Sequence, residues 1–260
     1  MIVETLFGMS EACWILTIAG ILLLALAVIG TIKLVSCEPV EPWSNEPNVR
    51  NNAWSTALDL TCQWASGKTT RQQVATAVTK EINECDRFVY DIAGGVPYYT
   101  RNNALFLGEQ FDLTAFIDRV NGGEGAGILV NCRDCASAVV SLSNLVGCDL
   151  WCNRMGKYFK TRMILPIGCI QLSEEEFTFH EVAWEGQCRD QDLVYDSCLQ
   201  YDVDETPGVE PFVLDSPCGV MFSDGSELSP LAYRERLAKD GEDGYGSCVN
   251  LNKVKRRAIK

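Results

Sequence analysis

The sequence predicts an α+β fold, in which an N-terminal transmembrane helix precedes helices packed on an antiparallel sheet. Apolar residues recur at helical spacing between residues 54 and 147, and at the two-residue spacing of strands between residues 158 and 201. Helices followed by strands are the order expected of an α+β domain. The composition, 47% hydrophobic and 22% charged, is that of a globular protein, so a packed core is expected.

The transmembrane helix is predicted from residues 12–32, which contain no charged side chain. As a helix, this run spans about 30 Å, the thickness of the hydrocarbon core of a bilayer. It is apolar on every side, unlike a helix with one exposed face. Residues 1–36 are therefore interpreted as a membrane anchor.

The residues that flank this run bear on the type of anchor and on its orientation. The segment before it carries Glu4 and Glu11 but no Lys or Arg, which favours an uncleaved single-pass anchor over a secretory signal. Residues 34–37 resemble a bacterial lipoprotein processing site, so a cleaved lipid-anchored form stays open. Lys33 and Arg50 both follow the run, which favours a cytoplasmic folded domain.

The rest of the chain divides by composition. Residues 37–52 contain three prolines among polar residues and read as a semi-rigid spacer. Residues 53–250 are assigned to one folded domain, within which residues 206–227, rich in Pro, Gly and acidic residues, form a predicted surface loop. Residues 251–260 are a basic tail, interpreted as a solvated terminus.

Charge and cysteine content limit the possible functions. A net charge of −13 argues against nucleic-acid binding, which requires a basic face. No cofactor is predicted, and no metal is assigned. Thirteen cysteines is a high and odd number, so at least one thiol is left without a disulfide partner. A reactive thiol is one use for it.

Local signals place the helices. The first is expected near Trp54. The second has Thr70 as N-cap and Gln73 as its capping-box partner, and its apolar stripe is Val74, Val78, Ile82 and Cys85. Asp112 is the predicted N-cap of a third helix, whose apolar face is Leu113, Phe116, Ile117 and Val120.

The fourth predicted helix places a cysteine at its first turn. Residues 127–130 form a short apolar run, Asn131 is a good N-cap, and Cys132 follows it. The positive end of a helix dipole stabilises a thiolate, the nucleophilic form of cysteine. If Cys132 attacks a carbonyl, its own backbone N–H is a natural donor to the oxyanion, with Trp151 or Trp184 as further candidates.

A thiolate nucleophile needs a base, and that base needs an orienting group. His180 is the only histidine, and it lies on an alternating apolar segment. Asp196 lies on the next strand candidate. If the two strands form a hairpin with its loop centred near Cys188, His180 and Asp196 lie opposite each other, about 5 Å apart at Cβ.

Residues 130–136, with a helix ending at residues 145–148, resemble the nucleophile helix of the transglutaminase-like superfamily of cysteine enzymes, which have a papain-like Cys-His-Asp arrangement. The resemblance covers about residues 95–202. It implies Cys132 as nucleophile, His180 as base and Asp196 as orienter, in the same chain order. It also implies a hydrolase or acyltransferase that acts on amide bonds of a protein or peptide substrate through a thioester. Together with the predicted anchor, this gives a membrane-anchored thiol enzyme.

Three other interpretations stay open. Cys132 and Cys135 together form a Cys-x-x-Cys pair at a helix N-terminus, as in thiol–disulfide oxidoreductases. Adding Cys148 and Cys152 suggests a four-thiolate zinc site, although the helix between the pairs would separate them by roughly 20 Å. A non-catalytic, membrane-tethered interaction domain is the third.

Overall fold

The computed structural model describes residues 39–43, 54–103, 108–155, 158–171, 173–189, 192–201, 233, 237–239 and 255–260. These residues form a mixed α+β structure, as the sequence predicts. The helices are α1 (Ser55–Trp64), α2 (Arg71–Asn83), α3 (Leu113–Val120) and α4 (Cys132–Leu145). The strands are β1 (Val89–Tyr90), β2 (Thr100–Asn103), β3 (Gly108–Phe111), β4 (Leu129–Val130), β5 (Leu150–Met155), β6 (Phe159–Lys160), β7 (Ile164–Pro166), β8 (Glu176–Phe177), β9 (His180–Glu185), β10 (Val194–Tyr195), β11 (Leu199–Tyr201) and β12 (Ala258–Ile259).

Two predicted segments fall outside the described residues. They are the membrane anchor at residues 1–36, with its apolar run at residues 12–32, and the loop at residues 206–227. Among the residues that the structure does describe, no helix combines the length and the apolar character that crossing a bilayer requires.

The predicted helix starts are confirmed. Helix α1 begins at Ser55, directly after Trp54 and without a side-chain cap, whereas local side-chain caps set the starts of the other helices. The Thr70 hydroxyl accepts a hydrogen bond from the Gln73 backbone N–H at 3.2 Å, and the Asp112 carboxylate accepts one from Ala115 at 3.1 Å. The capping box of α2 differs in one detail. The Gln73 side chain accepts from the N–H of Thr69, not from that of Thr70.

Helix α4 is the centre of the core. It packs against the other three helices and against β5 and β9, and nearly all of its residues are buried. Its start is fixed by a complete capping box. Asn131 accepts from the backbone N–H groups of Arg133 and Asp134, and the Asp134 carboxylate accepts from the N–H of Asn131. The same buried carboxylate accepts from the backbone of residues 98–100, so the first turn of α4 is held rigidly.

A three-stranded antiparallel sheet in the order β10–β9–β5 lies against α4. Its central strand, β9, begins at His180, which pairs with Met155 at the end of β5. The sequence did not predict β5, because its residues do not alternate between apolar and polar. Two further pairs, β1 with β4 and β3 with β12, are parallel.

The predicted spacer at residues 37–52 is wrong for the part of it that the structure describes, residues 39–43. Trp43 is only 3% exposed, and its indole N–H donates to the carbonyl of Ser141 in α4 at 2.7 Å. The backbone N–H of Val40 donates to the carbonyl of Asn144 at 2.9 Å. These residues therefore belong to the folded domain.

The interpretation of residues 251–260 as a solvated basic tail is also wrong for its described part, residues 255–260. Strand β12 adds to the edge of β3, with Ile259 opposite Phe111, and Arg257 is 3% exposed. Each basic side chain here has an acidic partner: Lys255 pairs with Glu109, Arg256 with Asp149, Arg257 with Glu109 and Glu181, and Lys260 with Asp112.

Candidate active site

The structure brings His180 and Asp196 into direct contact. His180 Nε2 lies 2.8 Å from Asp196 Oδ2, and both side chains are almost fully buried. The imidazole packs near two aromatic rings. The Phe177 ring is nearly parallel to it with centroids 5.5 Å apart, and the Tyr233 ring lies at 6.4 Å and is tilted by 20°. Packing and hydrogen bonding thus fix both the position and the orientation of the histidine.

The hairpin that carries this pair is confirmed, but its register is not the predicted one. Val194 lies opposite Trp184, and extending that register would place Asp196 opposite Val182 rather than His180. His180 and Asp196 are therefore diagonal neighbours on one face, separated by roughly 7–8 Å at Cα. That distance lets an imidazole and a carboxylate meet tip to tip.

Three donors converge on the carboxylate of Asp196. Oδ2 accepts from the Tyr233 hydroxyl at 2.5 Å as well as facing His180, and Oδ1 accepts from the backbone N–H of Cys198 at 2.8 Å. Sequence reasoning missed Tyr233. The available signal was weak: Tyr233 and Leu237 are two buried apolar residues spaced four apart, as on one face of a helix.

Cys132 is the first residue of α4, as predicted, and its side chain is 4% exposed. Its backbone N–H belongs to the first turn, where N–H groups have no partner within the helix. Since Asp196 faces Nε2 of His180, the ring nitrogen left for the thiol is Nδ1. That nitrogen makes no aligned hydrogen bond to the described residues, a common state of catalytic contacts before substrate binds.

The groups around His180 determine its pKa. Burial acts to lower the pKa of His180, but the charge and hydrogen bond of Asp196, with a smaller contribution from the Cys132 thiol, raise that pKa to about 10. His180 is therefore protonated at neutral pH. A buried imidazolium beside a carboxylate and a thiol can donate a proton to a leaving group and hold a thiolate as its counter-charge.

Cys135 does not share this position. It lies one turn further along α4, is 1% exposed, and its thiol contacts that of Cys198. Burial, followed by the hydrogen bond and charge of Cys135, raises the pKa of Cys198 well above its ordinary value. All cysteines in the described part of the chain are thiols rather than disulfides.

The four cysteines of the zinc hypothesis lie at opposite ends of α4, since Cys132 and Cys135 open the helix and Cys148 and Cys152 follow it. Among the described residues, no group of His, Cys, Asp and Glu is arranged to hold a metal ion.

The two tryptophans suggested as oxyanion donors lie at the end of the sheet that is distant from His180. Trp184 lies four residues from His180 along β9, a distance of about 13 Å, and pairs with Trp151. The Trp184 indole N–H already donates to the carbonyl of Arg189 at 3.2 Å, and the Trp151 ring is covered by the guanidinium of Arg256 at 3.7 Å. The Cys132 N–H is left as the candidate.

Comparison with known proteins gives no match: no family model, no curated protein and no solved structure is significantly similar to this chain.

Proposed function

We propose that this protein is a membrane-anchored thiol enzyme of the transglutaminase-like type, acting on amide bonds of a protein or peptide substrate. Cys132 is the nucleophile, His180 the acid and base, and Asp196 the group that orients His180. The observation that supports it best is the 2.8 Å contact between His180 Nε2 and Asp196 Oδ2, with the Cys132 thiol next to the same imidazole.

The chemistry proceeds in two steps. The Cys132 thiolate attacks the amide carbon, and as the C–N bond breaks, the proton on His180 passes to the leaving amine. The product of this step is a thioester on Cys132. Water, or an amine in a transfer reaction, then attacks the thioester while His180 removes its proton, which releases the acyl group and restores the thiolate.

The pair of His180 and Asp196 favours this reaction over dithiol exchange. A redox pair of Cys132 and Cys135 needs no histidine, whereas amide cleavage needs a proton for the leaving amine. The raised pKa of His180 supplies that proton at neutral pH. The acidic surface implied by the net charge of −13 makes nucleic acid an unsuitable substrate.

The reactivity of Cys132 provides the test. We expect limiting iodoacetamide to alkylate Cys132 before Cys62, Cys85 and Cys169, although those three are more exposed. Burial raises the pKa of each of the three, which keeps them as thiols. His180→Ala should slow the labelling of Cys132 by about tenfold or more, as measured by mass spectrometry of tryptic peptides.

The same labelling experiment separates the alternatives. Under mild oxidation, a redox pair would protect Cys132 and Cys135 together, and His180→Ala would not change their labelling. A zinc site would protect Cys148 and Cys152 as well until a chelator is added. If Cys132 in reduced, metal-free protein labels no faster than Cys135, the proposed mechanism is wrong.

We also propose that residues 12–32 hold the protein in a membrane as a single-pass anchor, with the folded domain on the cytoplasmic side. Deleting residues 1–36 should move the protein from the membrane fraction to the soluble fraction with its fold intact, as measured by ultracentrifugation and circular dichroism. The deletion stops before Trp43, which packs on α4. Full-length protein that sediments as soluble without detergent would contradict the anchor.

A further inference from the structure

Arg257 lies near the end of the chain, yet it is one of the most buried charges in the described structure, with 3% of its surface exposed. Its guanidinium contacts three segments that are distant in sequence. It donates to the hydroxyl of Ser137 at 2.8 Å and to the carboxylate of Glu109 at 2.9 Å, and it forms an ion pair with Glu181. The cysteine chemistry described above uses none of these contacts.

Arg257 contacts the helix that carries Cys132. Ser137 belongs to α4, and its hydroxyl also donates to the carbonyl of Arg133 at 2.6 Å. The side chain of Arg133, the residue after Cys132, pairs with Glu109, the carboxylate that Arg257 holds from the other side. Arg257 is thus bonded to the first two turns of α4 directly and through Glu109.

Arg257 also contacts the strand that carries His180, through its ion pair with Glu181. Glu181 follows His180 in β9 and is 1% exposed. Burial acts to raise the pKa of Glu181, but the charge and hydrogen bond of Arg257 lower it below its ordinary range. Successive side chains on a strand point to opposite faces, so Glu181 fixes the backbone of β9 without touching the imidazole. Its other partner, Arg154, is bound at 3.2 Å and is more exposed.

We propose that Arg257 is a positioning residue for the cysteine site, which holds α4 and β9 at the separation that lets Cys132 meet His180. The inference rests on the proposed function. An arginine suits this role better than a lysine, because its planar guanidinium can contact Ser137, Glu109 and Glu181 at once, whereas the ammonium of a lysine is a single point charge. The C-terminal strand is, on this account, part of the active-site framework.

The test uses the full-length chain with the substitutions Arg257→Gln, Arg257→Lys and Arg256→Gln, and follows the alkylation of Cys132 by iodoacetamide across a range of pH. Arg256→Gln is the matched control, since Arg256 is the adjacent residue, packs on Trp151 and pairs with Asp149, at the opposite end of the β5–β9 pair from His180. We expect Arg257→Gln to slow alkylation of Cys132 at neutral pH by roughly tenfold, since small displacements of reacting groups have large effects on rate. Arg257→Lys should restore part of the rate, and Arg256→Gln should leave the pH profile of Cys132 unchanged even if it lowers the melting temperature.

Ser137→Ala keeps the inference testable if Arg257→Gln does not fold, because it removes the hydroxyl that Arg257 bonds on α4 and no charge. It should slow Cys132 alkylation about threefold, a smaller effect for one bond of the cluster. An unchanged profile in folded Arg257→Gln or in Ser137→Ala, with His180→Ala still slowing alkylation, would overturn the role of Arg257 and leave the proposed function standing. If His180→Ala also has no effect, the proposed function and this inference fail together.

Discussion

Replacing His180 with alanine is expected to lower the hydrolysis rate of an activated peptide amide by on the order of 10²- to 10⁴-fold. His180 is the only histidine, so no other imidazole can replace it as acid and base. The loss should fall on kcat, because the proton moves in the transition state and not in substrate binding. Release of p-nitroaniline from peptide p-nitroanilides by the full-length protein in detergent measures it.

Asp196→Asn should also cause a large loss, although the substitution changes only one atom and a charge. All three neighbours of the Asp196 carboxylate, namely His180 Nε2, the Tyr233 hydroxyl and the Cys198 N–H, act as donors to it. An asparagine must turn its NH₂ toward one of them. If it faces His180, the imidazole is held in the tautomer with the proton on Nδ1, where it cannot accept a proton from the thiol or from water. We expect a loss of roughly 10²-fold or more.

The matched control is Asp86→Asn, which removes a carboxylate that is 82% exposed and far from the hairpin in sequence. It should retain the wild-type rate. Circular dichroism would establish that each variant is folded. Wild-type turnover in folded His180→Ala would show that another group performs the chemistry, and the assignment of the three residues would be abandoned.

The helix that carries Cys132 could be predicted because its signals are local. Thr70, Asp112 and Asn131 each cap a helix through a bond to a backbone N–H no more than three residues away. Such bonds depend on the adjacent sequence alone, so the pattern is readable without a structure. The position of Cys132 in the first turn follows directly from the cap at Asn131.

The sheet was harder to predict, because its register and membership depend on distant residues. Strand β5 carries Asn153 fully buried, since both faces of the strand are covered, and this removes the alternation by which strands are recognised. The hairpin register depends on its loop, where Cys188 has a positive φ of 55° and Gly186 one of 58°. A loop of that shape cannot be anticipated from composition.

The residues that hold the site could not be predicted for the same reason, because their partners are distant in sequence. A run of basic residues at 255–257 reads as solvated unless its acidic partners are known, and two of these lie more than 70 residues earlier in the chain, at Glu109 and Glu181. Tyr233 meets Asp196 across 37 residues. Contacts of this length come from the tertiary fold, so the sequence predicted that His180 and Asp196 lie close together but not the residues that hold them.

The stability of the protein is expected to fall as pH rises from about 6.5 to about 10, and His180 is the main cause. The pKa of His180 is about 10 in the folded protein and near 6.5 in the unfolded chain. The folded state therefore binds a proton that the unfolded state has lost, and protonation stabilises the fold. The contribution is complete below the unfolded value and is lost as pH passes the folded one. Its upper limit is roughly 5 kcal/mol, from about 1.4 kcal/mol for each unit of pKa.

Thermal unfolding of wild-type protein and His180→Gln, followed by circular dichroism at a series of pH values, isolates this effect. Buried thiols such as Cys152 and Cys188, whose pKa values burial raises to about 11 and about 12, also destabilise the fold at high pH, but equally in both proteins. The difference in stability should therefore be largest near pH 6 and shrink by pH 10. Asp196→Asn should flatten the profile more than Cys132→Ser, because Asp196 contributes more to the raised pKa of His180. A difference that stays constant over this range would mean that folding does not raise the pKa of His180.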